Sequence, residues 1–394
     1  MTDRLYYVDR LRIFAFAILI FYHSAAAFFT DMNWLLHSGK TSTILSLIMD
    51  FPRAWRLALL FFVSGMGAAF SFRSTAGLAF LRKRTIRLLV PLLFAMAVLV
   101  VPQVWYERMY ENGYDGSLLT FWLTRYFTEG RYPTGNFTWA HMWFVAYLLV
   151  MSVICYPIFL YLCRPANPIA TWFERTAKSA WIYLFFLLPL ALNLALSPFF
   201  PKETNALYND GAWFAVWASW FGLGFLVARH HGALIGTIIA RRFVSAAIAL
   251  ATTAILYLFA WLLPPEQAFG TYAHETPLFK AAIFLLAWSM ILTLVGFGAR
   301  HFNRPDARLV MVNRLVFPLY IIHQTVIVGA LYYILPLDLP AMPSFLMVSA
   351  VTFVVSSLFA LAVDFLPGRA RLLVGLDVKP RATTAEGRIA DTVR

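Results

Sequence analysis

The sequence predicts an all-α membrane protein, a bundle of about ten transmembrane helices with both termini in the cytoplasm. Composition is the first reason, since 61% of the 394 residues are hydrophobic and only 13% are charged, far from the usage of soluble domains. The second reason is that the apolar residues fall in windows of about 20, the length that crosses a hydrocarbon core. The third is the distribution of positive charge along the chain.

The predicted spans and the polar segment after them divide the chain into two regions. Residues 1–366 form the membrane domain, and residues 367–394 form a polar cytoplasmic tail that we expect to be partly disordered. The ten spans cover residues 11–29, 54–72, 88–106, 143–162, 181–199, 213–228, 244–263, 281–298, 317–335 and 345–366.

Basic residues set the orientation of these spans. With the N-terminus in the cytoplasm, 24 of the 32 Lys and Arg residues lie on the cytoplasmic side, in agreement with the positive-inside rule. The same bias accounts for the net charge of +13. No basic run accompanies a nucleic-acid reading motif, so we expect the lipid bilayer, and no nucleic acid, as a partner.

The first span contains two ionisable residues, Arg12 and His23, eleven positions apart. Eleven residues of α-helix make about three turns and rise about 16 Å, so the two side chains share one face at different depths. Ionisable groups inside a span are costly and usually line an interior cavity. We therefore predict a functional pair. The alternative is that Arg12 is a topology anchor and His23 a buried structural histidine.

A basic cluster lies at the cytoplasmic entrance of the third span and contains Arg82, Lys83, Arg84 and Arg87. Arg84 and Arg87 are three residues apart, so their guanidinium groups are predicted to lie on one helical face. Two such groups bind a phosphate or pyrophosphate through charge-assisted hydrogen bonds. The alternatives are positive-inside anchoring and contact with anionic lipid.

On the predicted outer side, Asp50, Arg53 and Arg56 lie near the start of the second span. Arg53 and Arg56 are three apart and are predicted to hold an acceptor or a carboxylate, unless Asp50 simply forms salt bridges with them. Ser64 begins the run SGMG, whose small residues allow close helix approach.

Later spans add further polar residues at membrane depth. His141 and Trp143 lie at the outer end of the fourth span, where a histidine can orient a sugar hydroxyl or transfer a proton and a tryptophan can anchor the interface. His323 and Gln324 lie in the ninth span, a few residues above the inner surface, where structural hydrogen bonding between helices is the favoured interpretation. The outer loop 107–141 is predicted to form a sugar-facing surface or an aromatic belt.

Several other kinds of chemistry are excluded by missing motifs. The sequence has no GxSxG elbow, no HExxH, no P-loop and no CxxC. Its two cysteines, Cys155 and Cys163, are predicted to be packing residues, and we expect no metal site. Acid and base chemistry at a membrane-buried histidine remains.

These residues resemble the signature of the type 3 membrane acyltransferase family. Arg12 is followed after ten residues by His23 and is preceded by YYVD, and three further segments agree in order: FFVSG at 61–65, RTIRLLVP at 84–91 and PLYIIHQ at 318–324. The resemblance covers residues 5–366. Within the family, the chain looks most similar to the branch that contains the succinyltransferases of osmoregulated periplasmic glucans.

The resemblance implies a ten-helix enzyme of the bacterial inner membrane. Such an enzyme moves a short acyl group, acetyl or succinyl, from cytoplasmic acyl-CoA to a hydroxyl of an extracytoplasmic glycan, with no permanently bound cofactor. His23 is implied to be the essential catalytic histidine, acting with Arg12. Arg12, Arg84 and Arg87 are implied to lie on the acyl-CoA side.

One departure from the family pattern concerns a carboxylate. Many members have an acidic residue six positions before the motif serine, where this chain has Ala58. Asp9 and Asp50 are the candidate substitutes. Three polar side chains are candidates for stabilising an oxyanion: Arg56, Ser64 and Gln324.

A second class of function also fits the buried ionisable residues. In a transporter or flippase, Arg12, His23 and His323 would form a proton or anion pathway through the same bundle. A structural subunit of a glycan-synthesis complex is a third alternative. The sequence does not specify an oligomeric state.

Overall fold

The computed structural model describes residues 4–32, 34–74, 77–263 and 276–378. Within these ranges the chain is helical and forms no strand, which confirms the predicted all-α class. The α-helices are α1 (Tyr6–Ala26), α2 (Thr43–Ser74), α3 (Leu78–Phe94), α4 (Val101–Asn112), α5 (Leu118–Phe121), α6 (Trp143–Leu162), α7 (Pro168–Ala177), α8 (Leu187–Leu196), α9 (Gly211–Arg229), α10 (His231–Ala240), α11 (Arg242–Leu256), α12 (Pro277–His301), α13 (Ala307–Ile334) and α14 (Ala341–Val363).

Short segments of tighter or wider helix extend several of these elements. They are Ala95–Leu99, Trp122–Tyr126, Ala140–Met142, Ala180–Phe186, Tyr257–Trp261, Leu335–Leu337 and Gly368–Val374. The segment Ala95–Leu99 joins α3 to α4, so that Leu78–Asn112 is one helical run.

Eight helical runs in the described part of the chain are long and apolar enough to cross a membrane. A ninth arises if α7 and Ala180–Leu196, which meet at an angle of 115°, count as one broken span. α1 has 21 residues, and Asp9, Arg10 and Arg12 near its start distinguish it from the apolar eight. All ten predicted windows fall on helices, and the protein is a multi-pass membrane protein.

Three helices, α2, α3 and α13, begin well before the predicted spans. α2 starts at Thr43 and continues through Pro52. α13 starts at Ala307, because the Asp306 side chain accepts hydrogen bonds from the backbone N–H groups of Arg308 and Leu309 and caps the helix. His323 therefore lies 16 residues, or about 24 Å, along α13 from its first residue.

Ion pairs define the two ends of the bundle. At the end where α1 begins and α14 ends, called the terminal face here, Arg10 lies 3.3 Å from Asp306 and Arg314 lies 2.6 Å from Asp364. At the opposite end, the loop face, Lys40 lies 2.6 Å from Asp338. The described parts of both chain ends thus lie at the terminal face.

Part of the predicted polar tail packs on the bundle. Arg371 is only 1% exposed and donates a 2.8 Å hydrogen bond to Asp364. Gly375 has a φ of +72° and lies against the Phe317 ring, where an added Cβ would be 2.1 Å from a ring carbon. The remaining tail residues, 379–394, lie outside the described residues, and so does the disorder predicted for them.

The closest helix contact joins α2 and α9 through two glycines. A Cβ at Gly65 would lie 1.9 Å from the carbonyl oxygen of Phe221, and a Cβ at Gly224 would lie 1.9 Å from that of Phe62. The backbones therefore touch at both points, and this confirms the predicted close approach for Gly65. Gly67 has a different neighbour, since a Cβ there would lie 3.2 Å from Nη2 of Arg12.

Candidate active site

Two histidines from different helices form the centre of the site. Nδ1 of His23 on α1 lies 3.0 Å from Nε2 of His323 on α13. The two rings are stacked, with centroids 5.3 Å apart and planes inclined by 10°. The sequence favoured a structural role for His323 but did not identify the residue that it contacts. The structure brings it into direct contact with the predicted catalytic histidine.

The hydrogen-bond network assigns a tautomer to each ring of this pair. Nδ1 of His323 is hydrogen-bonded to the carbonyl oxygen of Tyr320, and a carbonyl oxygen only accepts, so Nδ1 carries the proton. Nε2 of His323 then accepts from Nδ1–H of His23. It follows that Nε2 of His23 carries a free lone pair. His23 is only half-buried, and no described residue bonds to this second nitrogen.

A third histidine, His141, holds His323 from the side. Its ring meets that of His323 edge-on, at 5.1 Å and 89°. Nε2–H of His141 donates to the carbonyl oxygen of Ile321 over 2.9 Å, so its Nδ1 accepts from the Gln103 amide over 3.4 Å. The Tyr320 hydroxyl donates to the backbone oxygen of His141 over 2.6 Å. All hydrogen bonds of this cluster can form with neutral rings.

Sequence reasoning missed Gln103 and Tyr320. Gln103 is fully buried, and its amide also donates to the Thr325 hydroxyl over 2.8 Å. Gln103 could have been found from the sequence, because a polar amide inside an apolar window needs a buried hydrogen-bond partner. Tyr320 precedes His323 by three positions and therefore lies on the same side of α13.

Arg56 lies beside the histidine pair and is almost completely buried. It is 6% exposed, and its Cζ lies 3.3 Å from the centroid of the Tyr22 ring. Its Nε and Nη1 have no hydrogen-bond partner among the described residues. The charge of Arg56 also interacts with His23, so the guanidinium group is close to the catalytic candidate.

The predicted pairing of Arg53 with Arg56 on one face is only partly observed. Arg53 is exposed, and its Nη1 lies 3.0 Å from Asp31 and 3.9 Å from Asp50. Salt bridges thus account for Arg53 and Asp50. They do not account for Arg56, which makes no ion pair with a described carboxylate.

Glu203, in the loop between α8 and α9, is a further residue that sequence reasoning missed. Its charge interacts with that of Arg56. The Glu203 side chain is exposed at the loop face, although many protein atoms lie around it. Burial, aided by nearby Asp210, raises the pKa of Glu203 to about 7. Because Glu203 lies in a predicted loop, the sequence did not indicate that its carboxylate is close to Arg56.

At the terminal face, Arg12 is part of a polar chain. Its Nη1 donates to Oδ1 of Asn313 over 3.3 Å, and the Asn313 amide donates to Asp9 over 2.9 Å. Asp9 also accepts from Arg4 over 2.7 Å. Arg12 and His23 both contact α13, which agrees with the shared face predicted for them. Asp9 is 14 residues, or about 21 Å, from His23 along α1, so it does not supply a carboxylate to the histidine pair.

The predicted phosphate-binding arginines lie near Arg12, and their charges interact with one another. Nε of Arg84 donates to the Ser152 hydroxyl over 2.7 Å, so this side chain turns inward. Arg87 is more exposed and lies 3.9 Å from Asp377 in the tail. The two arginines therefore have different partners, although their charges interact.

The remaining candidates lie around this core. Ser64 is half-buried, and Gln324, next to His323, is 6% exposed. The Trp143 ring packs edge-on against that of Tyr147, with centroids 5.1 Å apart. Among the described residues no group of three or more His, Cys, Asp or Glu side chains is placed to hold a metal ion.

Comparison with known proteins places this arrangement in a family. A family model described as "Acyltransferase domain" matches residues 5–361. The chain is similar to "Glucans biosynthesis protein C" of Escherichia coli O139:H28 (strain E24377A / ETEC), with 26% identity over 361 residues and 85% coverage of each chain. The protein of the same name from Escherichia coli (strain K12) is 25% identical over 354 residues, again with 85% coverage of each chain.

No solved structure is similar enough to be matched to the chain. The family model spans α1 to α14 and includes both histidines of the central pair. The resemblance inferred from the sequence motifs is thus confirmed, and the chain belongs to the acyltransferase family that this domain defines.

Proposed function

We propose that the protein is an inner-membrane O-acyltransferase that takes an acetyl or succinyl group from cytoplasmic acyl-CoA. The acceptor is a hydroxyl group of an extracytoplasmic glucan. Membership of an acyltransferase family and the names of the relatives support this class of reaction. The observation that carries the proposal is the unprotonated Nε2 of His23, which the contact with His323 leaves free.

In the proposed reaction, Nε2 of His23 takes the proton of the acceptor hydroxyl, and the hydroxyl oxygen attacks the carbonyl carbon of the thioester. The tetrahedral intermediate collapses, the carbon–sulfur bond breaks, and the leaving thiolate takes the proton from the His23 imidazolium. The products are the glucan ester and free CoA. A relay through an acyl-histidine uses the same lone pair, first as a nucleophile.

His323 acts as a positioning residue in this scheme. Its Nε2 accepts from Nδ1–H of His23 both before and after protonation, so the ring orientation is kept through the reaction. The edge-on contact with His141 and the bond to the Tyr320 carbonyl fix His323 in turn.

The donor is proposed to enter at the terminal face, where three arginine charges lie together. Arg12 and Arg84 are half-buried and Arg87 is more exposed, so the phosphates of CoA would meet Arg87 first. The pantetheine arm would then pass Arg12 towards His23, about 16 Å further along α1.

We expect the double variant Arg84→Ala/Arg87→Ala to raise the KM for acyl-CoA by about 100-fold, because each hydrogen bond to a charged group contributes about 1.5–3 kcal/mol. The KM for the acceptor should change little. Initial rates of CoA release over a range of both substrates measure the two constants. Arg164→Ala removes another exposed arginine and serves as the control. Equal losses for both substrates would count against the donor site.

The proposed function is tested with purified protein in nanodiscs. Acyl-CoA and a glucan oligosaccharide are supplied together and separately, and free thiol and ester mass are measured. Release of CoA that needs the acceptor, with one acyl mass added to it, supports the enzyme. Proton-coupled uptake into vesicles without consumption of acyl-CoA would identify a transporter instead.

A further inference from the structure

Arg56 is a buried cation to which the described residues supply no full counter-charge. None of the ion pairs between described residues includes it, and its Nε and Nη1 lack acceptors. The π face of Tyr22, 3.3 Å from Cζ, offsets part of the cost. Burying an unpaired charge is expensive, so this position favours an anion that arrives with a substrate.

The position of Arg56 relative to His23 indicates which substrate brings the anion. Arg56 stacks on Tyr22, and its charge interacts with His23 and with Glu203 at the loop face. A CoA thioester that enters from the terminal face has its sulfur and carbonyl carbon at His23. The far end of its acyl group then points away from CoA, towards the loop face and Arg56.

We infer that Arg56 binds a carboxylate at the far end of the acyl group and so selects the thioester of a dicarboxylic acid over that of an uncharged acid. This inference rests on the proposed function. A carboxylate neutralises the guanidinium group as soon as the donor binds. A thioester oxygen acquires charge only during the reaction and sugar hydroxyls are neutral, so neither provides a counter-charge in the ground state.

Glu203 does not take the place of this carboxylate. It makes no ion pair with Arg56, and its pKa, which burial raises to about 7, leaves it partly protonated near neutral pH. We expect Glu203 to contribute only a weaker negative field at Arg56. The fixed, full negative charge then comes from the donor.

The test compares succinyl-CoA, its terminal methyl ester and acetyl-CoA as donors to one glucan oligosaccharide. The wild-type protein is expected to use succinyl-CoA with a kcat/KM at least about 30-fold above that of the methyl ester or acetyl-CoA, as for loss of one partner of a buried charge pair. In Arg56→Met this preference should fall below about 3-fold, because only the succinyl-CoA rate drops. Arg56→Lys should retain part of the preference.

The methyl ester keeps the inference testable even if Arg56→Met does not fold, since it removes the charge from the donor and leaves the protein intact. Arg164→Met is the control for loss of an arginine and should keep the wild-type preference. Equal use of the three donors by the wild-type protein, or an equal loss for all of them in Arg56→Met, would overturn the inference. Failure of the wild-type protein to transfer any of them would instead reject the proposed function.

Discussion

The variant His23→Ala is expected to lose acyl transfer by about 10²- to 10⁴-fold, the usual contribution of a positioned general base. In the wild-type protein, the contact with His323 leaves Nε2 of His23 unprotonated and available to the acceptor hydroxyl. Alanine removes this lone pair. The lone pair on Nε2 of His323 is a poor substitute, because His323 is fully buried and its Nε2 lies where it met Nδ1 of His23, on the far side of the missing ring from the acceptor hydroxyl. The measurement is the rate of CoA release in the presence of saturating glucan.

His37→Ala is a matched control for this experiment, because His37 lies in the loop between α1 and α2 and its ring belongs to no part of the proposed site. It should retain most of the activity. Thermal unfolding in detergent shows whether each variant is folded, and binding of acyl-CoA to His23→Ala should persist. Transfer by His23→Ala at a near-normal rate would remove His23 from the mechanism.

The second large effect is expected for His323→Leu. Without an acceptor at Nε2 of His323, His23 no longer has a fixed tautomer, and its ring can present a protonated nitrogen to the acceptor. We expect kcat to fall by about 10- to 100-fold, the range for loss of a residue that orients a functional histidine. The KM for acyl-CoA should be unchanged, since the proposed phosphate contacts lie at the terminal face.

The pH profile separates positioning from a general loss of packing. His323→Leu should shift the pH dependence of kcat/KM, because His23 loses its hydrogen-bond partner. A variant that only weakens the packing of the helices should keep the wild-type pH profile. His323→Gln, whose amide oxygen can accept from His23, should recover part of the rate. His231→Leu removes a comparable 3.0 Å hydrogen bond, to Tyr7 at the terminal face, and is expected to leave the profile unchanged.

Sequence reasoning found the helices and one half of the site. Apolar windows fix the positions of the spans, because the bilayer imposes their length, and helical periodicity places Arg12 and His23 on one face. Periodicity does not say which helix that face meets. His23 and His323 are 300 positions apart, and their contact depends on the packing of α1 against α13.

Other parts of the site depend on tertiary structure in the same way. The spacing of Arg84 and Arg87 predicts a common face, but it does not predict their separate partners, Ser152 on α6 and Asp377 in the tail. The position of Glu203 is set by the fold of a loop. The start of α13 can be predicted from the sequence, since an aspartate before a helical run is a capping signal. A hydropathy window does not detect this signal.

The glycine contact between α2 and α9 has a mechanical consequence. With backbone against backbone at Gly65 and Gly224, neither helix can slide or rotate past the other without a collision, so the two behave as a single rigid wall. Arg56 belongs to this wall, while His23 belongs to α1, which packs against both α2 and α13. We therefore expect the conformational change that admits a bulky sugar to displace α1 and α13 and to leave Arg56 in place.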